Sequence, residues 1–201
     1  MECHKQNIKG NTHRKPFNLI DKLNIYIMEK IRVAINGYGV IGKRVADAVH
    51  LQEDMELAGV CDVITDWRIQ MAVLKKYPVF ASDDMFKTKM NEAGINSSGT
   101  LNDLLASSDI IVDCTPKKIA AQNIELYKKL GKKFILQGGE KHEATGHSFS
   151  AENNYATAIN LDATREVSCN TNTIVRILTA LNNAGLLLKA RGTLLRRATD
   201  P

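Results

Sequence analysis

Ile31-Arg32-Val33-Ala34-Ile35-Asn36-Gly37-Tyr38-Gly39-Val40-Ile41-Gly42 is the stretch on which the reading of this chain turns. A short apolar run with the composition of a buried strand leads into an intact G-x-G-x-x-G. Val40, Ile41, Val45, Ala46 and Val49 then share one helical face, with Lys43, Arg44 and Asp47 off it. A second strand-like run, Glu56-Leu57-Ala58-Gly59-Val60-Cys61-Asp62, ends in an acid about twenty residues past the last glycine. Strand, glycine loop, helix, strand and acid form the context in which this motif cradles a dinucleotide. Gly37 is expected to make the tight turn and Gly39 to admit the pyrophosphate. Gly42 lets the helix pack on the strand, and the helix N-terminus faces the phosphates. Asp62 can accept from a ribose 2′-hydroxyl and repels a 2′-phosphate, which favours NAD; Arg68, Lys75 and Lys76 nearby keep NADP open. The competing readings are a glycine-rich turn in another α/β protein and, for Asp62, a solvated strand-end acid.

Outward from that unit the alternation continues. Trp67 to Lys76 reads as helix and Tyr77 to Ala81 as extended, since Pro78 biases Tyr77 away from helix. Asp84 to Ala93 reads as a helix stopped by Gly94. Leu101 to Ala106 is a short helix, with Thr100 and Asp103 as a capping box. Ser108 to Pro116 is a buried strand entering a loop, and Lys117 to Leu130 a helix closed by Gly131. Lys133-Phe134-Ile135-Leu136 is another buried strand, ending at Gln137-Gly138-Gly139. Near-continuous apolar strands alternating with helices indicate an α/β fold, a Rossmann-type doubly wound parallel sheet. Ligands of such sheets bind beyond the strand C-termini, where Asp62, Thr115, Gly139 and Cys169 are all placed.

Arg165-Glu166-Val167-Ser168-Cys169-Asn170-Thr171-Asn172-Thr173 is the second informative stretch. A β-leaning run ends in a cysteine, residues with strong N-cap preference follow, and Ile174, Val175, Ile177, Leu178 and Leu181 recur at helical spacing. Cys169 therefore sits where a strand turns into a helix N-terminus, whose unpaired N–H groups and dipole favour thiolate, the nucleophilic form. The plainer alternative is a small buried hydrophobe. Leu186 to Arg197 reads as a long strand of rough alternation. It would be the first of a second, more antiparallel sheet and the start of an α+β catalytic domain. The expected organisation is an extension over residues 1–29, a dinucleotide-binding domain over 30–169, and an incomplete catalytic domain over 170–201.

Composition narrows the class. Of 201 residues, 44% are hydrophobic and 24% charged, as in ordinary globular proteins. The formal charge is +5, but residues 1–30 hold six Lys/Arg against three Asp/Glu, so the body is nearly neutral. That gives no electrostatic reason to expect nucleic acid as a partner. Cys3, Cys61, Cys114 and Cys169 are far apart and lack disulfide-scaffold or zinc-site spacing, so no metal is expected and a reducing, cytoplasmic setting fits. No apolar segment is long enough to span a bilayer, and residues 1–27 lack the layout of a signal peptide.

Four blocks together resemble the archaeal-type glyceraldehyde-3-phosphate dehydrogenases: Ile35 to Val49, Val112-Asp113-Cys114-Thr115-Pro116, Gln137-Gly138-Gly139-Glu140-Lys141, and Val167-Ser168-Cys169-Asn170-Thr171. Arg196-Arg197-Ala198-Thr199-Asp200-Pro201 closes the match. The resemblance implies a cofactor domain followed by a catalytic domain, NAD or NADP as cofactor, a homotetramer and a place in central carbon metabolism. It implies Cys169 as nucleophile, Ser168 and Asn170 beside the substrate, and Val40, Ile41, Gly139 and Arg197 near the cofactor. The expected reaction is phosphorylating oxidation of glyceraldehyde 3-phosphate.

The chain departs from the family pattern in three respects. Members that accept the phosphorylated cofactor usually carry lysine where Asp62 stands, and threonine is usual at Asn172. The family's histidine base and further phosphate contacts fall beyond position 201; His142 and His147 do not align with that base and read as loop or surface histidines. The rival readings are another NAD(P)-dependent semialdehyde dehydrogenase, which the Gln137–Lys141 block argues against, and a non-catalytic dinucleotide-binding module.

Overall fold

The structure, a computed structural model, describes residues 29–195. The expected extension up to residue 28, Arg197 and the rest of the Arg196–Pro201 block lie outside the described residues. In chain order come β1 (Ile31–Asn36), α1 (Val40–His50), β2 (Met55–Asp62), α2 (Trp67–Leu74), β3 (Val79–Ala81), α3 (Asp84–Glu92), β4 (Gly99–Thr100) and α4 (Leu101–Ala106). Then follow β5 (Ile110–Asp113), α5 (Lys117–Lys129), β6 (Lys133–Leu136), a 3-10 turn (His142–Ala144), β7 (Ser148–Phe149), α6 (Ala151–Ala158), β8 (Ala163–Glu166) and α7 (Cys169–Asn183). The eight strands form one sheet in the order β4-β3-β2-β1-β5-β6-β8-β7, every pair parallel. The expected α/β, Rossmann-type architecture is therefore present.

The apolar runs in β1 and β2 follow from burial on both faces. Val33 and Ile35 of β1 enter a core shared with Ala46 and Val49 of α1, Ile69 and Ala72 of α2 and Met90 of α3. Ala34, between them, joins a second core with Leu104 and Leu105 of α4 and Ile124 and Tyr127 of α5. A register shift opposite Val33/Ala34 lets Leu57 and Val60 of β2 share the first core while Cys61 turns to the second. Helix starts are set by short polar side chains: Asp66 accepts from Arg68 N–H, Asp83 from Phe86 N–H, and Thr100 with Asp103 forms the expected capping box.

Two sequence expectations need correction. α7 begins one residue earlier than the N-cap run suggested, because Ser168 is the cap and accepts from Thr171 N–H at 3.2 Å; Cys169 is the first helical residue. The long strand expected from Leu186 is not formed over the described residues 186–195. A strand exists only through hydrogen bonds to a neighbour, and that stretch pairs with no described strand. Leu188 and Leu195 stand 101% and 93% exposed instead. β8 overlaps the β-leaning run read before Cys169, but the edge segment of β7 and α6, between Glu140 and Asp162, was not anticipated. Its two-residue strand and kinked helix carry too short a period to read, and Asn154 holds the kink, accepting from Ser150 N–H and donating to Ser148 C=O.

Candidate functional site

The carboxyl ends of the strands present the expected residues in a row. Across the sheet, Asp62 ends β2, Gly37 to Gly42 follow β1, Thr115 follows β5, Gly139 follows β6 and Cys169 follows β8. At about 4.8 Å per strand the row from β2 to β8 spans about 19 Å, and Cys169 lies three strands, about 14 Å, from β1. The fold thus aligns the residues along one edge without bringing Cys169 into contact with the glycine loop.

The loop itself is tightly specified. Gly37 has φ +94°, and a Cβ there would lie 2.9 Å from the backbone of Cys114 and of Thr115. Its N–H donates to Cys61 C=O at 2.8 Å. A Cβ on Gly42 would meet Gly37 O at 1.9 Å, so the helix seats directly on the turn. Gly39 differs: a Cβ there would meet nothing within 4 Å. It is also the N-cap of α1, which has no capping side chain and no acid in its first turn. Open space and uncapped N–H groups at a helix start fit an anionic group, and the pyrophosphate of a dinucleotide matches both. Val40 and Ile41 are 67% and 45% exposed, apolar side chains at the mouth of the same opening.

Asp62 does more than the sequence suggested. Its carboxylate accepts from Tyr38 N–H and from Val63 N–H, both at 2.7 Å, so it ties the glycine loop to the end of β2. Of the cations expected nearby, Arg68 is held by Asp66 at 2.6 Å and Lys75 by Asp47 at 2.6 Å. Lys43, which was not singled out, lies 4.4 Å from the ring centre of the exposed Trp67.

Beneath Thr115 lies a network that sequence reasoning missed. Asp113 is fully buried and accepts from Thr115 N–H (2.9 Å) and Oγ (2.5 Å), Asn123 Nδ2 (2.9 Å) and Tyr127 OH (2.7 Å). Tyr127 OH in turn accepts from Asn36 Nδ2 at 2.8 Å. The available signal was a carboxylate closing the apolar strand Ile110-Ile111-Val112, which demands donors, and Asn123 with Tyr127 one helical turn apart on α5. The network joins the ends of β1 and β5 and fixes the turn on which Thr115 stands.

Cys169 is exposed, as is Ser168, while Asn170 is half-buried. Cys61 is fully buried and its thiol is pushed far up by burial. Cys114 is pushed up to about 12, by burial first and then by Asp113 and Glu140. His142 is exposed and shares a hydrogen bond with Ser148 (2.9 Å), while the ring of His147 lies between Thr164 (2.7 Å) and Thr157 (2.9 Å). An apolar groove of about 330 Å³ beside Phe149, Tyr155 and Ile159 lies towards the opposite ends of β5, β6 and β8, and none of the site residues lines it. Among the described residues no group of three or more His, Cys, Asp or Glu is placed to hold a metal ion, and no helix is long and apolar enough to cross a membrane.

These buried thiols and phenols predict an alkaline limit to stability. Burial pushes Tyr38 and Tyr77 up to about 12, and Tyr127 further still. The folded values are raised, so the stabilisation is complete below the unfolded values, about 8.5 for a thiol and about 10 for a phenol, and is lost as pH climbs through the folded ones. Urea midpoints should hold level to about pH 8 and fall steadily between about pH 9 and 12. A midpoint that rose above pH 9 would contradict the burial of these groups.

A family model described as dihydrodipicolinate reductase, N-terminus, matches residues 31–152, which run from β1 into α6. The chain belongs to that family. It is also homologous to archaeal glyceraldehyde-3-phosphate dehydrogenases, in line with the motif resemblance. It is 49% identical to that of Methanococcoides burtonii over 174 residues, covering 87% of this chain and 52% of the relative. To that of Sulfolobus acidocaldarius it is 47% identical over 174 residues, covering 87% and 50%. The chain spans about half the length of the curated relatives it matches. Among solved structures, aspartate semialdehyde dehydrogenase II of Vibrio cholerae superposes with a TM-score of 0.51, at 12% identity, over 78% of this chain and 47% of that one. That likeness shows the fold alone. The dihydrodipicolinate reductase N-terminal match ends inside α6, while the dehydrogenase relatives match 87% of the chain. Both matches are to oxidoreductases by name, and the parallel sheet is of the dinucleotide-binding type.

Proposed function

We propose that the chain carries the cofactor domain and the nucleophile of a phosphorylating glyceraldehyde-3-phosphate dehydrogenase. The observation that carries this reading is Cys169, exposed at the first turn of α7 on the same sheet edge as the open glycine loop. The 49% identity to a dehydrogenase of that name supports the substrate. The Cys169 thiolate adds to the aldehyde carbon to give a thiohemiacetal. Bound NAD or NADP supplies the hydride acceptor, and the thioester left on sulfur is released by inorganic phosphate as the acyl phosphate. Ser168 and Asn170 flank the substrate. Gly37, Gly39, Val40, Ile41, Gly42, Asp62, Thr115 and Gly139 hold the cofactor, and Arg197 joins them by resemblance. Residues 30–169 form the cofactor domain and 170–201 begin the catalytic one. A cytoplasmic homotetramer in glycolysis completes the reading.

Two measurements test it. Calorimetric titration should show NAD binding more tightly than NADP, with the order reversed in Asp62→Lys, since a carboxylate repels the 2′-phosphate. The lysine also gives up the tie to Tyr38 N–H, so a modest loss of both affinities should accompany the reversal. Mass spectrometry after mixing with glyceraldehyde 3-phosphate and NAD should find an acyl adduct on Cys169 that Cys169→Ser lacks. Cofactor binding without any adduct would sink the enzymatic half of the proposal. Turnover of this chain at about ten per second or more, the ordinary range, would place a sufficient base within it, and His142 would be the first residue to replace.

A further inference from the structure

Glu166 and Asn172 stand on either side of the corner that carries Cys169, and the reaction described above uses neither. Glu166 is the half-buried last residue of β8, and Asn172 is in the first turn of α7. The Asn172 side-chain amide donates to Glu166 Oε1 and, at 3.4 Å, to Val167 C=O. Its backbone N–H meanwhile closes the first helical turn on Ser168 C=O at 2.8 Å. A side chain rooted in the helix therefore reaches back over Val167, Ser168 and Cys169 to the strand. The Ser168 cap ties the other side of the same corner. Threonine at position 172 would be too short to make this reach.

The charged groups around Glu166 are few. Glu152 of α6 is paired with Arg176 of α7 at 2.9 Å, and Arg165 turns away to donate to Ser148 Oγ at 2.9 Å. Burial pushes the Glu166 carboxyl above the usual range, the Asn172 bond opposes that shift, and Glu152 adds to it. A carboxylate at this place interacts favourably with the positive end of α7, the same end that a Cys169 thiolate would use.

We propose that the Glu166–Asn172 pair is a positioning device for Cys169, fixing the strand–helix corner that carries the thiol and placing one carboxylate at that corner. The inference rests on the reading of Cys169 as nucleophile. The experiment is site-resolved alkylation of the folded chain, followed by peptide mass spectrometry, with neutral iodoacetamide and anionic iodoacetate. Glu166→Gln keeps an acceptor for Asn172 and removes the charge. Its iodoacetamide rate should rise by no more than about two-fold, because the lost charge also eases ionisation of the thiol, while the iodoacetate to iodoacetamide ratio at Cys169 rises about two-fold, as expected for one charge acting through a largely aqueous path. Glu166→Ala and Asn172→Ala should each slow iodoacetamide by a similar factor, about three- to five-fold, the equivalent of one hydrogen bond. The double variant should be no slower than either, because both substitutions remove the same contact. Cys61 is the internal control, since it stays unlabelled in any variant that folds; if an alanine variant exposes it, Glu166→Gln alone decides. An unchanged ratio in Glu166→Gln, or alanine effects that simply multiply, would overturn the proposal. Failure of the nucleophile reading looks different: wild-type Cys169 would then alkylate no faster than N-acetylcysteine.

Discussion

Gly42→Val should be among the most destabilising substitutions available in this chain, while Gly39→Val, three residues away, should leave the fold standing and weaken dinucleotide binding. The difference is geometric. A Cβ on Gly42 would sit 1.9 Å from the carbonyl oxygen of Gly37, a backbone atom that cannot swing aside. Either α1 lifts from β1 or the turn at Gly37 opens, and both disturb the core around Val33, Ile35 and Ala46. Overpacking of this kind costs about 3 kcal/mol or more, a drop in melting temperature on the order of 10 °C for a chain of this size. Gly39 has an extended backbone, φ −75° and ψ −158°, and open space where its side chain would point. Valine fits there at the expense of a poorer N-cap, about 0.5–1 kcal/mol. The branched side chain would then occupy the space through which a pyrophosphate reaches the backbone, and a loss of at least about tenfold in affinity, 1.4 kcal/mol, is expected. Thermal melts and calorimetric titration of the two variants check both halves. A Gly39→Val chain that bound NAD and NADP as tightly as wild type would remove the glycine loop from the cofactor site.

Alkylation should separate the cysteines by orders of magnitude. The thiolate is the reacting species. With its thiol at about 12, Cys114 is about one part in ten thousand ionised at pH 8, against roughly one part in four for an ordinary thiol at about 8.5. Cys61 is higher still and has no exposed surface. Cys169 is exposed at the start of a helix. Brief treatment with iodoacetamide at pH 8 should therefore label Cys169 about a thousand-fold faster than Cys114 or Cys61. The gap to Cys114 should narrow by about tenfold per pH unit once other thiols are fully ionised. Comparable labelling of Cys114 and Cys169 at pH 8 would mean that the turn after β5 opens in solution, and the Asp113 network would have to be reconsidered.

Legibility followed the range of the forces involved. The glycine loop, α1 and the capped start of α4 were readable because each depends on neighbours a few residues away: a turn, a helical period, an Asp three residues past a Thr. β5 and β6 were readable because burial on both faces leaves an apolar run. The β7–α6 edge segment was not readable, since a two-residue strand has no period and Asn154 bends the helix through contacts with Ser148 and Ser150.

By itself the sequence determined the parallel α/β class, the row of candidate residues at strand ends and the strand-to-helix corner at Cys169, all through local periodicity and motif spacing. Tertiary structure alone decided the rest. It turned Asp62 into a tie for the glycine loop through Tyr38 N–H, because a carboxylate finds whichever donor the adjoining strand brings to it. It collected Asn36, Asp113, Asn123 and Tyr127 into one buried network, since a polar group taken from water needs partners wherever they come from in the chain. It also left Leu186 to Leu195 without the strand their alternation suggested, because a β-strand is a property of a pair.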